Sequence, residues 1–225
     1  MNKTNRLSDP RVISYRTLRR AVGITGMALP VVLVIGSVTF GGCMEIQNSI
    51  SSYYHTNMRD VFVAILAATA FFLFAYKGYN HKDNIAGNIA AVFALGMAFF
   101  PESATEPLPP CIKETMKNNV INAIHYFSAG GFFLTLSYFS LFIFTQKDEN
   151  PTEMKLKRNK IYRICGFIMI ACIVLIAAYS VCSKSGGCKT VKTINPIFWL
   201  ETVALWAFGF SWFTKGETIF VNKNE

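Results

Sequence analysis

Charge is scarce in this sequence. Asp, Glu, Lys and Arg make up 16% of its 225 residues, where soluble domains carry roughly 25%. The apolar residues, 52% of the chain, come in blocks rather than alternating with charge. Several blocks reach the ~20 residues that cross a hydrocarbon core of ~30 Å. That excludes an ordinary soluble domain and predicts an integral membrane protein. Histidine is scarcer still, with three in the chain. No His or second Cys pair has ligand spacing, so no metal site and no cofactor are expected. Gly-x-Ser-x-Gly and His-Glu-x-x-His are both missing. No basic patch interleaves with aromatics in a soluble stretch, so the net charge of +9 is read as topology-setting loop charge and not as a nucleic-acid surface. The first apolar run lacks a small-x-small cleavage site and is expected to be retained.

What is present reads as an all-α, multi-pass bundle of six transmembrane helices. A basic tail (1–20) with Lys3, Arg6, Arg11, Arg16, Arg19 and Arg20 precedes the transmembrane domain (21–214), and a polar tail (215–225) follows it. The helices are predicted at 21–42, 58–76, 84–100, 120–145, 161–182 and 196–214. Pro30 is expected to kink the first. The second and third are short. Ala64 and Ala68 on one, and Ala86, Ala90 and Ala94 on the other, form small-residue stripes that predict a tight hairpin. Charged loops are expected at 77–84 and 146–160, and a proline-rich loop at 101–119. Trp199, Trp212 and Tyr76 are assigned to the aromatic belts at the interfaces.

Lys and Arg distribute unevenly. The tails, the 77–84 turn and the 146–163 segment hold sixteen; Arg59, Lys113, Lys117, Lys184, Lys189 and Lys192 are the six on the other side. By the positive-inside rule both termini are cytoplasmic and the protein resides in the cell membrane. Four of the six cysteines then face outward. Cys182 and Cys188 enclose a short spacer containing Gly186-Gly187 and predict a disulfide. Cys43 and Cys111 can pair across loops. Cys165 and Cys172 read as apolar packing residues.

The candidate site lies at the outer end. Ser51, Ser52, Tyr53, Tyr54, His55, Arg59 and Asp60 crowd the start of the second helix. The fourth and sixth helices bring His125 and Glu201 to the same depth. Ionisable groups inside a span cost ~2.5–3.5 kcal/mol if central and by default mark function. Asp60 shares a helical face with Ala64 and Ala67 and is expected to point into the bundle with His125 and Glu201. In this reading Asp60 and Glu201 supply negative charge, Arg59 engages a phosphate or carboxylate, and His125 or His55 moves protons.

Ser51-x-x-x-His55 followed by Asp60 resembles the early-helix motif of the alkaline ceramidase and progestin-receptor superfamily, in which Ser, Asp and His residues hold or support a catalytic zinc. That superfamily also has two histidines in its last helix, where this chain has Glu201 and none, so the zinc chemistry is not carried over. In topology, and in Ile50-Ser51 after the first helix, the chain is similar to bacterial six-helix membrane proteins of the DRAM-like kind. That resemblance implies a fold and a membrane location without an activity. The leading function is an outward-facing polar pocket for a small ligand, a lipid headgroup or an ion. The alternatives are a membrane lipid hydrolase, with a His and a carboxylate as acid–base partners and Ser51 or Ser52 as nucleophile, and a pore or assembly subunit. The expected partners are the bilayer, a lipid or small molecule, and further copies of the chain, with no nucleic acid.

Overall fold

The computed structural model describes residues 10–78, 80–104, 111–112, 118–146, 151–185 and 194–216, with side chains from residue 15 onward except that of residue 184. Among the described residues the regular structure is entirely helical: α1 (Pro10–Gly41), α2 (Arg59–Phe74), α3 (His81–Phe99), α4 (Asn119–Tyr138), α5 (Glu153–Lys184) and α6 (Pro196–Lys215). A 3-10 turn, Ser51–His55, precedes α2, and α4 runs on into a π-helical turn, Phe139–Ile143.

The local chemistry accounts for the helix starts. Pro10 opens α1, where a missing N–H costs nothing. Asn80, Asn118 and Thr152 each accept a hydrogen bond from a free N–H in the first turn of α3, α4 and α5. Asn195, in the left-handed region at φ 48°, turns the chain into Pro196 at the head of α6. The Thr152 cap and Glu153 start α5 well before residue 161, so Lys155, Lys157, Arg158 and Lys160 lie on its first turns and not in a loop. α1 likewise starts at Pro10 and continues unbroken through Pro30.

Each helix packs on its neighbours in sequence, and α6 returns to α1, closing a ring. Two glycines make that closure. A Cβ on Gly23 would lie 2.7 Å from the carbonyl oxygen of Gly209, and one on Gly209 would lie 2.6 Å from that of Gly23. No larger residue fits where these backbones meet.

Four helical stretches are long and apolar enough to cross a membrane: Tyr15–Gly41, Asn119–Ile143, Glu153–Ser183 and Pro196–Lys215. The α2–α3 hairpin is shorter. At 1.5 Å per residue, the 16 residues of α2 and 19 of α3 measure about 24 and 28 Å. Its packing corrects one expectation. The alanine stripe of α3 is buried, with Ala90 and Ala94 fully so, but Ala64 on α2 is exposed. α2 turns Phe62, Leu66, Thr69 and Leu73 inward instead. One small face is enough for close approach, and Gly87 of α3 sits directly against the Leu73 carbonyl.

The two ends of the ring are built differently. Where α1, α3 and α5 begin, an aromatic cluster fills the centre. Trp212 stands within 5.4 Å of the Tyr76, Phe139 and Phe144 rings, centroid to centroid. Trp212 and Tyr76 are therefore core residues and not members of an interfacial belt; their rings are 0% and 1% exposed. Lys215 lies over the rings of Phe144 and Tyr162. Beside this cluster the Ser140 and Ser211 hydroxyls meet at 2.8 Å, both buried. The π-helical turn that carries Ser140 is the kind of local widening that re-aims a side chain.

Candidate functional site

The opposite end holds a cavity of about 540 Å³ between α4, α5 and the head of α6. This volume falls within the ~300–1,000 Å³ range of small-molecule sites. Its walls differ in character. One end is lined by Asn48, Ser49, Ser52, Glu102, His125 and Glu201. The remainder is largely apolar, with Ala129, Gly130, Phe133, Ile173, Ile176 and Ile197.

The polar end is assembled from four parts of the chain. The segment after α1 bends across the bundle and is pinned to α6 twice, where Phe198 N–H donates to the Asn48 carbonyl (3.1 Å) and Asn195 Nδ2 donates to that of Ile46 (2.8 Å). This brings Ser49 and Ser52 to Glu102, just past the end of α3. Both hydroxyls donate to Glu102 Oε1, Ser52 at 2.5 Å. His55 Nε2 lies 2.7 Å from the Glu102 carbonyl. A carbonyl only accepts, so Nε2–H is the donor. Glu102 is thus held by its backbone and by one carboxylate oxygen. The disulfide between Cys43 and Cys111, with Cα atoms 5.4 Å apart, ties the same two loops together.

His125, one turn into α4, places Nδ1 2.8 Å from the Phe100 carbonyl. The same argument puts the proton on Nδ1 and leaves Nε2 of the neutral ring as a lone pair. Glu201, in the second turn of α6, accepts from Ile50 N–H through Oε2 at 2.6 Å. That bond welds α6 to the 3-10 turn.

The other residues singled out in the sequence divide clearly. Ser51 is buried outside the cavity lining. Tyr53 packs its ring on Phe198, and burial raises its phenol above the ordinary tyrosine value. Tyr54 accepts from Arg59 Nη2 at 2.8 Å beneath the stacked guanidinium. Arg59 is thus occupied at the exposed rim. Asp60 is exposed and does not join His125 and Glu201. Its place in the first turn of α2, at the positive end of the helix dipole, accounts for a carboxylate there. Glu102 takes the part expected of Asp60. Cys165 and Cys172 are free and buried. Cys182 is disulfide-bonded; its expected partner Cys188 lies outside the described residues, as do the tail at 1–9 and that after 216.

Among the described residues no cluster of three or more His, Cys, Asp or Glu side chains is arranged to hold a metal ion. Chemically the cavity offers hydrogen-bond acceptors beside an apolar slot. It defines an all-helical protein, with helices long enough to cross a membrane and an internal amphipathic cavity. No family model, no curated protein and no solved structure matches the chain.

Proposed function

We propose that this chain is a multi-pass cell-membrane protein whose cavity binds a small amphiphilic ligand, a lipid or a lipid-like molecule. In this reading all six helices span the bilayer, the α2–α3 hairpin with local thinning, and both termini are cytoplasmic. The cavity then lies toward the outer face. The observation that carries the reading is the joining of a polar, carboxylate-bearing end to an apolar wall in one cavity. An amphiphile matches both ends at once.

Two features favour binding over the alternatives. His55 and His125 each give a ring N–H to a backbone carbonyl, and the hydroxyls of Ser49 and Ser52 go to a carboxylate. Among the described residues neither imidazole is hydrogen-bonded to a serine hydroxyl, so the hydrolase reading lacks its His-activated nucleophile. A pore needs a continuous polar path, and the aromatic cluster around Trp212 fills the other end.

The test is native mass spectrometry of protein released from the membrane in mild detergent. Gly130 lines the cavity with open space at its Cβ position. Wild type is expected to carry a co-purifying amphiphile, and Gly130→Phe, which fills the slot, to carry none. Equal loading of the two proteins would refute the reading. Cysteine-accessibility labelling tests the topology independently: residues 77–84 should react only from the cytoplasmic side, and residues 51–60 should lie outside.

A further inference from the structure

At the polar end of the cavity, three groups have only acceptor capacity left over. His125 is 2% exposed and lines the cavity, and among the described residues its one hydrogen bond is that of Nδ1. Nε2 is therefore an unpartnered acceptor. Glu201 uses Oε2 for Ile50 N–H, which leaves Oε1. Glu102 uses Oε1 for the two serines, which leaves Oε2. Three acceptors on three separate elements thus line one cavity with their own donors already spent. Two of them are carboxylates, and no lysine or arginine is among the described residues of the lining. Unpaired carboxylate charge away from water is costly, and a bound cation relieves it.

From this arrangement we infer that the ligand's polar head is a primary ammonium, carried on a single alkyl chain that occupies the apolar slot. The inference rests on the cavity being a ligand site. An ammonium has three N–H donors and no acceptor, matching Glu102, His125 and Glu201 one to one. A quaternary ammonium brings the charge without the donors. An alcohol brings one donor and no charge, and a fatty acid adds a third carboxylate. A zwitterionic phospholipid adds a phosphate for which the described lining has no cation. His55, Ser49 and Ser52 are positioning residues for Glu102.

The experiment uses the full chain in nonionic detergent. Thermal unfolding is followed against concentration for four twelve-carbon probes at neutral pH: dodecylammonium, dodecyltrimethylammonium, dodecanol and dodecanoate. A ligand that binds the native state raises the midpoint in proportion to its affinity. Dodecylammonium is expected to bind at least about tenfold more tightly than each of the others, the effect of one lost charge-assisted hydrogen bond. Glu201→Gln keeps a carbonyl oxygen for Ile50 N–H while removing the charge, and Glu102→Gln does the same for the two serines. Each should shrink the preference for the amine over dodecanol by about tenfold. Gly130→Phe should remove the response to every probe. Equal binding of all four probes, abolished by Gly130→Phe, would overturn the ammonium assignment and leave the cavity reading standing. No binding by any probe, or binding unaffected by Gly130→Phe, would overturn both. The wild-type probe series decides the matter even where a glutamine variant fails to fold.

Discussion

The two ends of the bundle pose opposite packing problems and solve them in opposite ways. The end around Trp212 closes with rings. Tyr76, Phe139, Phe144 and Trp212 meet edge to face or tilted, at centroid distances of 5.2 to 5.8 Å, a geometry that aromatic quadrupoles favour. Trp212 leaves its indole N–H without a partner there, so packing outweighs hydrogen bonding at that end. At the end around Glu102 the chain spends hydrogen bonds freely and leaves space unfilled. Loops cross the bundle, two serines fix the carboxylate of Glu102 and a histidine its backbone carbonyl, and a cavity remains beside them. Fully satisfied polar networks make a rigid frame. Here the frame surrounds three groups whose capacity is left open. One end holds the ring together, and the other, on the reading proposed above, is organised around a ligand.

The comparison can be broken most forcefully at the aromatic end. Trp212→Ala removes the hub of the cluster and should cost about 3–5 kcal/mol, read as a large fall in the thermal midpoint in detergent. Protein that still folds should keep its preference among the amphiphilic probes. Loss of that preference with little loss of stability would reverse the roles assigned to the two ends.

Glu201 gives the next largest effect and separates structure from site. Glu201→Leu leaves Ile50 N–H without its acceptor and should cost about 1–3 kcal/mol as well as ligand binding. Glu201→Gln should lose most of the preference for the amine with much less loss of folded protein. Equal stability losses in the two variants would mean that the carboxylate acts only as a strut.

Asp60 should produce the smallest effect. It is exposed at the head of α2, so Asp60→Asn should leave both the unfolding midpoint and the probe affinities at their wild-type values. A binding defect in this variant would restore Asp60 to the site and displace Glu102 from it.

The difference between Asp60 and Glu102 also marks what the sequence makes legible. Apolar blocks locate all six helices, because length and punctuation by Pro, Asn and charge are local properties. His125 and Glu201 stand out because ionisable groups within apolar runs are rare, and the structure brings both to one cavity. Asp60 was assigned inward on the premise that alanines mark the packed face. Packing needs a small face on only one partner, and α3 supplies it with Ala86, Ala90, Ala94 and Gly87. In the sequence Glu102 is one more charge in the proline-rich stretch at 101–119. Its role depends on Ser49, Ser52 and His55, about fifty residues earlier, and no local pattern reveals such a meeting. The signal at hand was its position: a carboxylate two residues beyond Phe99-Phe100, at the end of an apolar helix, stands at the same boundary as the stretch that does attract attention. Trp212 and Tyr76 were misplaced for a related reason, since composition does not distinguish an interfacial aromatic from a central one.

The glycine contact that joins α6 to α1 has a consequence for how the protein is made. Gly23 lies on α1 and Gly209 on α6, with four helices made between them. Throughout synthesis of the intervening helices, α1 waits with its closest-fitting groove unmatched. The docking that fills this groove also delivers Glu201 to Ile50 and pins Asn48 to Phe198, so seam and cavity mature in a single late event. A chain without α6 would present an open notch in α1 at Gly23, where the Gly209 backbone otherwise packs.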